Sequence, residues 1–236
     1  HFNLLMQKNV IDNICFPLQI QEVGKKEAKE KARELLKTLF ATRTKDFITA
    51  VDERSIILIH ELREDEDYEE VEQVANMMKD MLNSEAMATV RISYGTIVSE
   101  IKQVSKSYKE AKMALDVGKI FYSEKSITAY NTLGIGRLIY QLPINLCRIF
   151  IKEIFGDSIP EELDDELLTT VQKFFDNNLN VSETSRQLFV HRNTLVYRLE
   201  KLHQSTGLDI RTFDDALTFK IALMVVNYMK YIDSLE

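Results

Sequence analysis

At 236 residues and 45% hydrophobic, the chain is long enough for two modest domains, each burying its own core. A formal net charge of -7 excludes a protein that coats nucleic acid through bulk charge, but leaves room for one that reads it through a local basic patch. No segment is apolar for long enough to cross a bilayer and the N-terminus lacks a signal-peptide pattern, so a cytoplasmic protein with no membrane partner is expected.

Phe16, Leu18 and Ile20 alternate, which predicts a first strand, and Gly24 ends it. A charged amphipathic helix follows from Lys25 to Phe40. Phe47 to Val51 and Ser55 to His60 predict a hairpin around Asp52, Glu53 and Arg54. The acidic run from Arg63 to Glu70 reads as a solvated loop, also able to repel DNA from its side of the molecule. It leads into a helix from Tyr68 to Leu82, where Met77, Met78 and Met81 suit a helical core better than a ligand pocket. A strand through Val90, Ile92 and Tyr94 comes next, and after Gly95 a helix from Ser99 to Val117. Strand, helix, strand, strand, helix, strand is the order of a ferredoxin-like antiparallel sheet with helices on one face.

Cys15 and Cys147 each lie among apolar neighbours, as small buried side chains do in a reducing compartment. His60 and His203 stand apart from any carboxylate or cysteine cluster, so no metal or catalytic role is expected of them. A glycine-rich phosphate loop and a nucleophile elbow are both missing, and no cofactor is expected.

Leu133 to Phe155, with Pro143 inside it, reads as an apolar helical connector, and Gly156 to Asp165 mixes breakers with acids as linkers do. The expected division is therefore a domain over 1-135, a connector and linker over 136-165, and a C-terminal domain over 166-236. Leu167 to Phe175 makes a supporting helix in the last of these. Asp214 and Asp215 open a long helix from Ala216 to Tyr231 with more apolar surface than one helix needs, part for the domain core and part for a dimer contact.

Between these helices, Asn180 to Leu202 has the spacing of a helix-turn-helix. Ser182 is placed to cap a first short helix, and Ser185, Leu188 and Phe189 then face inward. After Val190 the chain turns, and His191 stands where the cap of the second helix belongs. Leu195, Leu199 and Leu202 form one apolar stripe on that helix. Steps of about 100° per residue put Asn193 and Tyr197 opposite Leu195, with Thr194, Val196 and Lys201 on the flanks and Arg192 in the first turn. Arg grips guanine and Asn grips adenine with paired hydrogen bonds, whereas Thr194, Arg198 and Lys201 suit phosphates. Between Asn178 and Ser205 the acids Glu183 and Glu200 are outnumbered by Arg186, Arg192, Arg198 and Lys201, so basic charge is local to the motif.

The run from Leu188 to Leu199, LFVHRNTLVYRL, resembles the C-terminal helix-turn-helix of the purine-catabolism and carbohydrate-diacid regulators, the PucR/CdaR family of bacterial transcription factors. The likeness continues through Thr206-Gly207-Leu208-Asp209 and the Ala222-Leu223 pair, and the module is also similar to the DNA-binding end of the factor-for-inversion-stimulation proteins. Phe189 stands where many helix-turn-helix motifs carry Gly. The N-terminal element order, with Ser93-Tyr94-Gly95 and Ser107-Tyr108-Lys109-Glu110-Ala111, resembles the GGDEF-like domain that precedes this module in carbohydrate-diacid regulators.

That second resemblance raises an enzyme reading, since nucleotide cyclases share the topology. Such cyclases hold divalent ions through a first-strand carboxylate and a Gly-Gly-Asp-Glu-Phe hairpin. Here Cys15 to Gln21 contains no acid, and Val51-Asp52-Glu53-Arg54-Ser55 contains no glycine. The fold implied is α+β: a degenerate cyclase-like ferredoxin-like βαββαβ domain followed by an all-α Fis-like helix-turn-helix domain. The function implied is a non-enzymatic regulator of a catabolic operon, with His191, Arg192, Asn193, Thr194, Tyr197, Arg198, Lys201 and Ser182 at double-stranded DNA. A homodimer is expected. Because the chain opens at His1 rather than Met, an upstream domain answering a small-molecule effector is expected as well. The alternatives are a noncatalytic module whose helix-turn-helix contacts another protein, and an enzyme acting on a cyclic dinucleotide.

Overall fold

Alternation of apolar side chains through the first strand and an unbroken apolar run in the third decide how the N-terminal sheet is layered. The computed structural model describes residues 13-20, 26-40, 46-50, 55-63, 65-86, 89-156 and 165-235. They fall into two compact units, His1–Arg137 and Leu138–Glu236.

In the first unit, β1 (Asn13–Ile20), α1 (Lys26–Leu39), β2 (Phe47–Ala50), β3 (Ser55–Glu61), α2 (Tyr68–Glu85) and β4 (Val90–Tyr94) follow the expected order. Strand β1 lies between β3 and β4 and is antiparallel to both, while β2 pairs antiparallel with the outer edge of β3. This is the four-stranded ferredoxin-like arrangement. The expected hairpin turn at Asp52, Glu53 and Arg54 and the side chain of Cys15 lie outside the described residues.

The sheet holds one strand more than the four expected. Helix α3 (Ile101–Phe121) leads into β5 (Ile127–Ala129), which pairs parallel with β4, so the sheet order is β2-β3-β1-β4-β5. Parallel neighbours need a crossover, and α3 supplies it on the second face of the sheet. Helices therefore cover both faces, not one. Ile56 and Leu58 join Leu36 of α1, Phe40 just after it, and Val74 and Met78 of α2 in the main core. Ile57 and Ile59, pointing the other way, pack with Val98 and Val104 beneath α3. A strand buried on both faces has no solvent side to keep polar, which accounts for the continuous Ile56-Ile57-Leu58-Ile59 run.

Small residues let α3 approach closely. Ser93 donates its hydroxyl to the Ala111 carbonyl at 2.6 Å. A Cβ on Gly95 would stand 2.1 Å from the Ser107 carbonyl oxygen, and one on Gly118 would stand 2.6 Å from the Thr128 hydroxyl. The Glu110 carboxylate accepts from the Thr96 amide at 3.0 Å and from its hydroxyl. The Ser-Tyr-Gly and Ser-Tyr-Lys-Glu-Ala motifs thus join a helix to a strand.

His60 differs from its expected isolation. It is fully buried between Phe16 and Phe40, with its Nδ1 at 2.8 Å from the Asp46 carboxylate, whose second oxygen accepts from the Glu61 amide. The partner was hidden because it lies on the loop before β2, distant in sequence.

In the second unit, the expected connector divides into α4 (Gly134–Tyr140), which spans the boundary between units, and α5 (Ile144–Phe155). Helix α5 is part of the domain: Phe155 lies in the same core as Phe174 of α6 (Asp165–Asp176) and Phe219 of α9 (Phe213–Asp233). Phe155 and Phe219 meet edge to face at 5.7 Å. Helix α5 also packs against α9, and Val225, Tyr228 and Met229 of α9 are buried. Cys147 is fully buried, and burial pushes its thiol pKa up. Most of the expected linker, residues 157-164, lies outside the described residues.

Candidate nucleic-acid interface

After α6 the chain reverses through Asn178 and Leu179, both left-handed at φ +52° and +62°. Leu179 packs half-buried on the core. Helix α7 (Val181–Gln187) then begins, and its cap is Asn180, whose side-chain oxygen accepts from the Glu183 amide at 3.0 Å. Ser182, expected as the cap, sits inside the first turn, exposed, where its carbonyl accepts from the Ser185 hydroxyl. The boundary falls two residues earlier because the left-handed turn brings Asn180, itself extended, to the open amides.

Helix α7 ends in two reverse bonds: the Val190 amide donates to the Ser185 carbonyl at 3.0 Å and the Phe189 amide to Arg186 at 3.2 Å. Phe189 occupies the left-handed position of this cap at φ +55°. Its ring is 96% exposed, which corrects the inward orientation expected of it. The left-handed backbone swings Cβ away from the core, and Val190 turns back instead, half-buried against it.

His191 caps α8 (Arg192–Thr206) as expected, its Nδ1 accepting from the Asn193 amide at 3.2 Å. Leu195, Leu199 and Leu202 are at most 1% exposed. On the other side His191, Arg192, Asn193, Thr194 and Lys201 are exposed, and Tyr197 is 70% exposed. Gly207, left-handed at φ +75°, ends the helix with its amide on the His203 carbonyl at 2.8 Å.

Charge around α8 is sorted by pairing. Arg186 is held by Glu183 at 2.7 Å, and hydrogen bonds from Arg186 and then Gln187 hold that carboxylate below the usual range. Arg211 bridges Asp209 at 2.6 Å and Glu200 at 3.1 Å, fastening the turn after α8 to the helix itself. Residue type alone places Arg198 at phosphates. Its guanidinium instead pairs with Glu166 and donates to the Thr170 hydroxyl at 3.1 Å, so it ties α8 to α6. Arg192 and Lys201 form no ion pair among the described residues. The structure therefore gathers His191 to Thr194, Tyr197 and Lys201 on the exposed surface of α8, places Ser182 on α7, and draws Arg198 inward.

Sequence reasoning missed Asn180, the orientation of Phe189 and the Arg198 partners. Only Asn180 left a signal, an Asx residue three before Glu183. Among the described residues, no cluster of potential metal ligands and no helix apolar and long enough to cross a membrane is found.

Two family models match in tandem. The GGDEF-like domain covers residues 14-117 and the PucR C-terminal helix-turn-helix domain covers residues 167-225. The chain is 27% identical over 136 residues to the purine catabolism regulatory protein of Bacillus subtilis, covering 57% of this chain and 26% of that protein. It is 30% identical over 167 residues to the carbohydrate diacid regulator of Escherichia coli, covering 66% and 39%. With the DNA-binding transcriptional activator AdeR of B. subtilis it shares 26% identity over 204 residues, covering 81% and 47%. The matched regions span less than half the length of each of these relatives.

Proposed function

The chain belongs to the PucR/CdaR family, and from that membership we propose that it is a DNA-binding transcriptional regulator of a bacterial catabolic operon, acting in the cytoplasm and reading its operator with the first turns of α8. The observation that carries this reading is the two-sided character of α8. Leu195, Leu199 and Leu202 fix the helix to the domain core, while Arg192 and Asn193 stand exposed at its N-terminal tip. Those side chains have the hydrogen-bonding shapes that distinguish guanine and adenine in the major groove. Thr194 and Lys201 flank them for phosphates, Tyr197 stands on the same exposed surface, and Ser182 offers a hydroxyl from α7. Arg198 acts by holding α8 rather than by touching DNA.

The functional unit is a homodimer, because one short recognition helix touches few base pairs in a genome of competing sites. A small-molecule effector adjusts DNA affinity. The GGDEF-like domain serves as a noncatalytic scaffold. Its first strand lacks a carboxylate, and incubation with GTP and magnesium or manganese is expected to give no cyclic dinucleotide.

Selection of duplexes from a random-sequence pool, followed by footprinting, tests the reading. Enrichment of an inverted repeat, with half-sites about 34 Å or a multiple of one turn apart, is the expected result. Failure to enrich any sequence would reject it.

A further inference from the structure

We infer that Phe189 is itself a DNA contact: its ring packs on the apolar surface of the duplex, a thymine methyl or a deoxyribose, beside the bases read by Arg192 and Asn193. The inference rests on the DNA-binding reading above and deepens it. Three features of the turn between α7 and α8 carry it.

The first is exposure. At 96%, Phe189 is the most exposed large hydrophobic among the described residues, and it joins none of their core clusters or aromatic pairs. The second is conformation. A bulky L side chain at φ +55° is an outlier, and glycine would close the same cap without strain and without an exposed ring. Leu179 at φ +62° makes the contrast, because its packing on the domain core offsets the strain of its backbone. For Phe189 folding offers no such return, and strained residues that folding does not explain gather at functional sites.

The third feature is position. Phe189 lies two residues from His191, the cap of α8, a separation of at most about 7 Å, against a major groove about 12 Å wide. Arg186, one turn earlier, is already held by Glu183, so the end of α7 offers the duplex an apolar group rather than a charge. An aromatic ring against a thymine methyl excludes water and adds preference at a base pair flanking those that Arg192 and Asn193 read.

Two variants separate the ring from the strain. Phe189→Gly keeps the cap and relieves the backbone, whereas Phe189→Ala removes the ring and leaves the left-handed strain. The probe is a duplex recovered by the full chain from a random-sequence pool. We expect Phe189→Gly to melt no lower than wild type and yet to bind about tenfold more weakly, with Phe189→Ala equally weak in binding. Deoxyuridine in place of flanking thymines will weaken wild type but not Phe189→Gly if the ring meets a methyl, and will leave both unchanged if it meets a sugar. Either result keeps the inference. Wild-type affinity in Phe189→Gly, with binding lost in Arg192→Ala, overturns it alone and turns the ring toward a protein partner. Absence of any wild-type binding overturns the DNA reading and this inference together.

Discussion

Arg198 on α8 and Glu166 at the start of α6 are joined by a guanidinium-carboxylate pair, and the same guanidinium donates to the hydroxyl of Thr170, which in turn donates a hydrogen bond to the Glu166 carbonyl at 2.7 Å. Thr170 is fully buried and the Arg198 side chain is 18% exposed, while Glu166 is 63% exposed. The geometry fixes the rotation of α8 about its axis, and so the direction in which Arg192 and Asn193 point.

Arg198→Ala is therefore expected to destabilise the second unit by about 1 to 2 kcal/mol, and Glu166→Gln by less, since its carboxylate is largely in water. Operator affinity should fall while the slope of log K against log salt stays at the wild-type value, because no phosphate contact is lost. Denaturant melts and titrations at several salt concentrations check both. A slope reduced by about one would return Arg198 to the phosphates.

Capping separates two neighbouring residues. Asn180→Ala should cost about 1 kcal/mol, because its side chain satisfies an open amide of α7, whereas Ser182→Ala should change stability by no more than a few tenths. Thermal melting of the pair decides. Equal losses would mean that α7 begins at Ser182 after all.

Gly95→Ala tests the seam between β4 and α3. The added methyl meets the Ser107 backbone carbonyl, which cannot rotate aside, so a loss of about 3 kcal/mol is expected for the first unit. Melting curves that resolve the two units will show whether the change is confined to the first. An unaltered melting temperature would contradict the close approach of α3.

Asp209 supplies a pH dependence. The hydrogen bond from the Arg211 side chain, more than any other influence, holds its carboxyl below the usual aspartate range. A folded value below the unfolded one stabilises fully above the unfolded value, near 3.8, and is lost as pH falls through the depressed folded value. Below about pH 4 the melting temperature of wild type should consequently fall more steeply than that of Asp209→Asn. Parallel curves would show that the pair contributes nothing to folding.

Periodicity revealed those parts of the fold in which one face decides. Leu195, Leu199 and Leu202 gave α8. It did not show that the sheet is covered on both faces, and it failed where strands are short, as at Ile127–Ala129, and where partners are distant in sequence, as with Asp46 and His60. For the same reason α5 read as a connector: its companion surface is α9, far along the chain. At the candidate interface, residue types showed what chemistry is on offer but not which side chains are already engaged. Arg198 and Arg192 look alike in sequence, and only the position of Glu166 tells them apart. Phe189 shows the converse, since a left-handed backbone reverses the direction that its place after Leu188 implies.

The central claim is that the exposed tip of α8 reads DNA, and titration of the Arg192→Ala, Asn193→Ala double variant against a selected duplex and a scrambled one tests it most directly. The expected result is a loss of about 1 to 3 kcal/mol for each paired contact on the selected duplex, with little change on the scrambled one and an unchanged melting temperature. Lys201→Ala, run beside it, should weaken both duplexes alike and flatten the salt dependence. Undiminished preference for the selected duplex in the folded double variant would contradict the claim.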